Sequence, residues 1–162
     1  MAGGLTVTVA DTGIRQVLQQ LAQRTNDLDP ALHAIGAILE SAIRQRFETR
    51  KDPNRQAWAP HAASTAKRYA RQDRHPKTGQ LHSRGTLLQR TGEMLDSLNY
   101  QVEGQSVLIG FGKPYAAYHE FGTQRMPRRG MLLGDPITGT LGLGDEGEVV
   151  AILQRFIEGG AR

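Results

Sequence analysis

The sequence predicts an α+β domain: a small antiparallel sheet covered by long amphipathic helices, with extended flexible loops. Three patterns carry that expectation: apolar stripes at helical spacing early in the chain, a period-two hairpin in its middle, and one more helical stripe near its end. With 162 residues the chain fits a single domain over residues 1–162, and a chain of that length buries about two thirds of its unfolded surface.

Taken in order, Leu5, Val7 and Val9 alternate with Thr6 and Thr8, the signature of a short half-buried strand. Ile14, Val17, Leu18 and Leu21 then fall on one face of a helix that Asp11 or Thr12 is placed to cap. A second helix starts with Asp29 as N-cap and Pro30 at the first helical position, where its missing N–H costs nothing. Leu32, Ile35, Leu39, Ile43 and Phe47 form its apolar stripe, and Asp52-Pro53 is the expected stop.

Between residues 54 and 85 this periodicity lapses. Lys67, Arg68, Arg71, Arg74, Lys77 and Arg84 share that stretch with one acid, Asp73, which reads as a basic, partly disordered loop or arm. Such a run is either a solvated surface or a contact surface that orders on assembly. Order resumes at Leu87 and Leu88, followed by a short helix holding Met94, Leu95 and Leu98, with Thr91 as its cap and Glu93 near its N-terminal dipole.

Tyr100 and Val102, then Val107, Ile109 and Phe111, alternate on either side of Glu103-Gly104-Gln105-Ser106, a β-hairpin whose turn is supplied by glycine. Pro114 opens a helix of one to two turns through Tyr115, Tyr118 and Phe121, which Gly122 ends. Met131, Leu132 and Leu133 read as a buried strand. Residues 134–147 hold Gly134, Gly139, Gly142, Gly144 and Gly147 and read as a flexible glycine-rich loop; Val149, Ile152, Leu153 and Phe156 then mark a C-terminal amphipathic helix. A sheet of so few strands has free edges, which self-association would cover.

Composition narrows the function. A net charge of +4 and a pI near 9.8 suit contact with nucleic acid or an acidic protein surface. The chain has no cysteine, which excludes disulfides, thiolate metal sites and cysteine nucleophiles, and fits a reducing cytoplasm. No signal-peptide pattern and no apolar run of membrane-span length is visible, so no membrane partner is expected.

The catalytic matches fail on context. Ser64-Thr65-Ala66-Lys67 and Lys77-Thr78-Gly79 match motifs of penicillin-recognising enzymes, but the Ser-Asp-Asn element between them is missing and the chain is too short. Gly142-Leu143-Gly144-Asp145-Glu146-Gly147 matches the dinucleotide fingerprint, but no buried strand leads into it and its two acids would repel a pyrophosphate. His33, His61, His75, His82 and His119 are scattered, and no carboxylate pair stands in a shared context. The expectation is therefore a non-enzyme, with no catalytic, metal-binding or cofactor-binding residues and no cofactor.

Several short motifs fall in a telling order. Arg46-Phe47 ends a long helix, and Asp52-Pro53-Asn54, Trp58-Ala59-Pro60, Thr65, Leu87-Leu88, Thr91-Gly92 and Leu95-Asp96-Ser97-Leu98 follow. Then come Tyr115-Ala116-Ala117-Tyr118-His119-Glu120-Phe121-Gly122-Thr123 and Met126-Pro127-Arg128-Arg129. In this order they resemble the virion morphogenesis, or tail completion, family of Mu-like and P2-like phages, over about Leu18 to Phe156. Two departures stand out: Arg55 where the family usually has glycine, and Arg129-Gly130-Met131-Leu132-Leu133-Gly134 in place of an arginine-proline-phenylalanine-leucine-glycine run.

The resemblance implies a structural protein that completes the tail or joins tail to head, forms a ring of identical copies, and meets tail tube, terminator or head-tail connector proteins. It implies assembly in the host cytoplasm and a place in the tail or neck of the virion, with passing contact to DNA threading the ring. Trp58, Pro60, Tyr115, Tyr118, His119, Phe121, Arg128 and Arg129 are the candidate interface residues, with Trp58 and Pro60 placed to anchor the basic arm. The aromatics suit a core or a subunit contact, core packing being the commoner fate. A competing reading is a nucleic-acid-binding module using residues 67–90.

Overall fold

In the computed structural model, which describes residues 5–7, 14, 16, 28–73 and 87–159, the named elements run β1 (Leu5–Val7), α1 (Asp29–Thr49), α2 (Ala63–Gln72), α3 (Glu93–Asp96), β2 (Leu98–Glu103), β3 (Ser106–Phe111), α4 (Ala116–Phe121) and α5 (Leu143–Gly159). The α+β expectation holds. Three antiparallel strands in the order β1-β3-β2 form the sheet, and Leu98 pairs with Phe111, Tyr100 with Ile109 and Val102 with Val107. Gly104, at φ 59°, takes the left-handed turn between β2 and β3 that a side chain would resist.

The apolar stripe of α1 lies across β2 and β3 and also packs against α5. Leu32, Ile35, Leu39, Ile43 and Phe47 are all buried, joined by Leu98, Ile109 and Phe111 from the hairpin and Val149, Ile152 and Leu153 from α5. Burying each such large side chain contributes about 1.5–3 kcal/mol. Gly36 sets the distance of approach: a Cβ there would fall 2.2 Å from Cδ2 of Tyr100 on β2. At the far end Phe47 meets Trp58 edge-on at 5.4 Å and Phe111 at 6.0 Å between ring centroids.

Several local expectations need correction. Leu28, not Asp29, is the N-cap of α1: it is buried and its carbonyl accepts the Leu32 N–H, which draws the helix back one residue. The helix stops at Thr49, before Asp52-Pro53, because Arg50 takes a left-handed φ of 56°. Asp52 instead builds the turn that follows, its Oδ1 accepting the Asn54 and Gln56 N–H groups at 2.9 and 2.8 Å. In that turn Arg55 sits at φ 64°, a conformation that suits glycine.

Residues 54–73 are not a disordered arm. Residues 63–72 form α2, whose alanines, lysine, arginines and glutamine are helix formers and whose apolar side, Ala63, Ala66, Tyr69 and Ala70, is small and buries no residue. The rest of the basic segment, including Arg74, Lys77 and Arg84, lies outside the described residues, as does most of the helix expected around Val17 to Leu21. Ile14 is placed, packed against the core.

Gly92, at φ 79°, caps α3 in place of Thr91, and Leu98 belongs to β2. Residues 143–147 are the opening turn of α5 rather than loop, with Asp145 and Glu146 at the positive end of its dipole. The preceding turn is closed by a bridge between Asp135 and Thr140. Met131, Leu132 and Leu133 are buried as expected, yet they form no strand.

Candidate functional site

On α4, residues four apart share a face, so Ala116 and Glu120 turn inward together, both fully buried. Tyr115, Tyr118 and Phe121 are left outside, with Tyr118 60% and Phe121 49% exposed. Core packing, the commoner fate for such aromatics, is thus corrected: the inward face is taken by a carboxylate.

Glu120 explains why. Its Oε2 accepts the N–H groups of Met131 at 2.6 Å and Leu132 at 2.9 Å, and its Oε1 accepts that of Leu133 at 3.1 Å. The segment expected to be a strand finds the acceptors for its three N–H groups in one side chain rather than in a neighbouring strand. Arg128 Nη2 reaches the same carboxylate at 3.2 Å, while its Nε donates to the Glu120 carbonyl at 2.9 Å. A buried carboxylate with four donors is stabilising; stripped of them it would be costly.

The same ribbon is pinned from other sides. Arg46 on α1 donates to the Met131 carbonyl at 2.6 Å and pairs with the buried Asp145 of α5. Burial pushes the Asp145 carboxyl up, and the facing Arg46 offsets part of that push. Trp58 Nε1 donates to the Gly130 carbonyl at 2.9 Å. Arg129 donates from its backbone N–H to the His119 carbonyl at 2.7 Å, and from its guanidinium to the carbonyls of Ala59 and Pro60 at 2.8 and 2.9 Å.

Beside α4 opens a cleft of about 130 Å³, lined among others by His61, Tyr69, Arg90, Met94, Tyr115 and His119. Arg90 lies over the Tyr69 ring at 4.0 Å and pairs with Asp73 at 3.0 Å; His61 meets Tyr69 edge-on. Burial, then the fields of Arg129 and Arg90, hold the His61 imidazole below the usual histidine range. His119 is lowered the same way by burial, then by Arg129 and His61. Its Nδ1 is buried with no hydrogen-bond partner among the described residues.

The expected interface residues therefore split. Tyr115, Tyr118, Phe121 and Pro60 face outward and His119 lines the cleft, whereas Trp58 and Arg129 are buried and, with Arg128, are engaged within the chain. Of the basic residues, Lys67, Arg68 and Arg71 are exposed on α2, together with Ser64. Sequence reasoning assigned no role to Glu120, Arg90 or Tyr69, and it missed Ile137, 93% exposed at the tip of the turn before α5. A signal was present there: Asp135 accepts the Ile137 N–H and the Thr138 hydroxyl, bonds that hold its carboxyl below the usual range and fix an apolar residue in a polar turn.

Among the described residues no group of three or more histidines, aspartates or glutamates is placed to hold a metal ion, and no helix is long and apolar enough to cross a membrane. Fold and surface define a small α+β protein with an exposed aromatic face over a buried, hydrogen-bonded carboxylate. The chain belongs to the phage virion morphogenesis family, whose model matches residues 9–155. It is similar to the Mu-like prophage FluMu G protein 2 of Haemophilus influenzae, 30% identical over 109 residues that make up 67% of this chain. It spans 63% of that relative's length. No solved structure matches.

Proposed function

We propose that this chain is a structural assembly protein that completes the phage tail or joins it to the head, working as a ring of identical copies. The observation that carries the reading is the outward row of Tyr115, Tyr118 and Phe121 on α4. Large aromatics held rigid and exposed are typical anchors of protein–protein contacts, since they bury much area at little entropic cost. Family membership supplies the phage context. In this reading the copies meet each other and a tail tube, terminator or connector protein, in the host cytoplasm and then in the tail or neck.

A second reading has its own observation. Helix α2 exposes Lys67, Arg68 and Arg71 and has no acid in its first turn, a charge pattern that suits phosphate contacts. One experiment separates the two. The double variant Tyr118→Ser/Phe121→Ser should leave the unfolding midpoint unchanged, lower the solution mass of the purified chain to that of a monomer, and abolish infectious particles from a phage carrying it. Normal particle yield from that variant, with steeply salt-dependent duplex binding that Lys67→Glu removes, would favour the nucleic-acid module.

A further inference from the structure

Three arginines reach into the chain, and they differ in what faces them. Arg46 meets Asp145 and Arg128 meets Glu120, whereas Arg129, 4% exposed, meets the carbonyl oxygens of Ala59 and Pro60 and no carboxylate among the described residues. Those acceptors are neutral, so its charge is left uncompensated where burial makes that unfavourable. Its field reaches both His61 and His119, two imidazoles that line the cleft. The cleft thus lies in the field of a buried, unbalanced cation, and one of its lining residues, His119, has a buried Nδ1 with no partner among the described residues.

We propose that this cleft receives a carboxylate, carried by an acidic side chain of a neighbouring protein chain and held by Arg90, His61 and His119 under the rim of Tyr115. An anion there would balance Arg129 and give Nδ1 of His119 a partner. At about 130 Å³ the cleft has room for a side-chain carboxyl head. The choice of a protein-borne carboxylate over a free one rests on the assembly reading above.

Binding should be linked to protons. The charged and titratable groups facing the two histidines are Tyr69 on α2, Arg90 from the loop, Arg129 from the ribbon and Tyr115 at the N-cap of α4; Asp73 enters only through its pair with Arg90. An arriving carboxylate therefore draws protons onto imidazoles that the free protein keeps neutral, and affinity rises as pH falls.

The full-length chain is titrated with a capped hexapeptide carrying one central glutamate, and with its glutamine twin, while the imidazole resonances of His61 and His119 are followed by NMR. The glutamate peptide should perturb both imidazoles and raise their pKa, and bind about tenfold more tightly near pH 6 than near pH 8. His119→Gln should lose about as much affinity; His61→Gln, at a half-buried loop position, provides a second variant if the first unfolds.

Equal binding of the two peptides, pH-independent binding, or tighter binding of inorganic phosphate than of the glutamate peptide would each overturn the proposal. If the peptides fail while the α4 double variant still loses particles, the cleft falls and the assembly reading stands. If the glutamate peptide binds while that variant makes normal phage, the assembly reading falls and the carboxylate site stands.

Discussion

The α1–hairpin layer and the ribbon of residues 128–134 both reach into the core, yet they are held by opposite means. Between α1 and β2–β3 the cohesion is apolar and periodic: every third or fourth residue of the helix meets every second residue of a strand. The ribbon has little repeating structure. Glu120, Arg128, Arg46, Trp58 and Arg129 tie its backbone one group at a time. The first kind of packing tolerates volume-conserving change and fixes a layer; the second fixes individual atoms. The outward aromatics of α4 sit on the second kind, the better foundation for a surface that must meet a partner in one geometry.

The largest effect should come from breaking the ribbon at its centre. Glu120→Ala leaves three buried N–H groups without their acceptor and removes the carboxylate that faces Arg128, and should cost about 3–5 kcal/mol in chemical denaturation. Glu120→Gln keeps the volume and one acceptor oxygen and should cost less. A loss under about 1 kcal/mol for Glu120→Ala would mean that burial of Met131 and Leu133 alone holds the ribbon, and the contrast between the two regions would collapse.

The apolar layer should break through overfilling. Gly36→Ala drives a Cβ into the Tyr100 ring, where the nearest ring atoms, down to Cγ, stand within 2.8 Å, and should cost about 1–3 kcal/mol. Because this conflict is between two side chains, Tyr100→Leu should recover most of it, and the two changes should be non-additive in a double-mutant cycle. Additive costs would move the strain from the helix–sheet contact to the helix backbone itself.

Legibility in the sequence follows the same division. Leu32 to Phe47, the β2–β3 hairpin with its turn at Gly104, and Val149 to Phe156 were all readable because burial there repeats with the period of the element. Helix α2 was not, since its apolar side is three alanines and one tyrosine and buries no residue. Met131 to Leu133 were rightly placed inside but wrongly paired, because nothing local announces that a glutamate eleven to thirteen residues earlier will accept their N–H groups. The spacing of Tyr115, Tyr118 and Phe121 marks a row but not the side it faces, a choice decided by Glu120 rather than by their own apolarity. The family likeness did mark one strained point: Arg55 stands where glycine is usual and adopts a positive φ.

The smallest effect sharpens the comparison by adding protons to the polar region alone. Burial, then Arg129 and His61, keep His119 neutral in the folded chain below its ordinary pKa. As pH falls through about 6.5 the unfolded chain takes up a proton that the folded chain resists, so the unfolded state binds more protons and stability is lost on the acid side. One such proton sets a ceiling of about 1.4 kcal/mol per pH unit, and partial solvation of the imidazole keeps the slope beneath it. Asp145, pushed up by burial, slopes the other way, which makes the difference from His119→Gln, rather than the raw curve, the quantity to read. Denaturation midpoints should fall between about pH 7.5 and about pH 5.5, and His119→Gln should flatten that fall while leaving the α1–hairpin layer untouched. An equal slope in the variant would assign the proton uptake to a group outside the cleft, and His61, lowered by the same neighbours, is the next to replace.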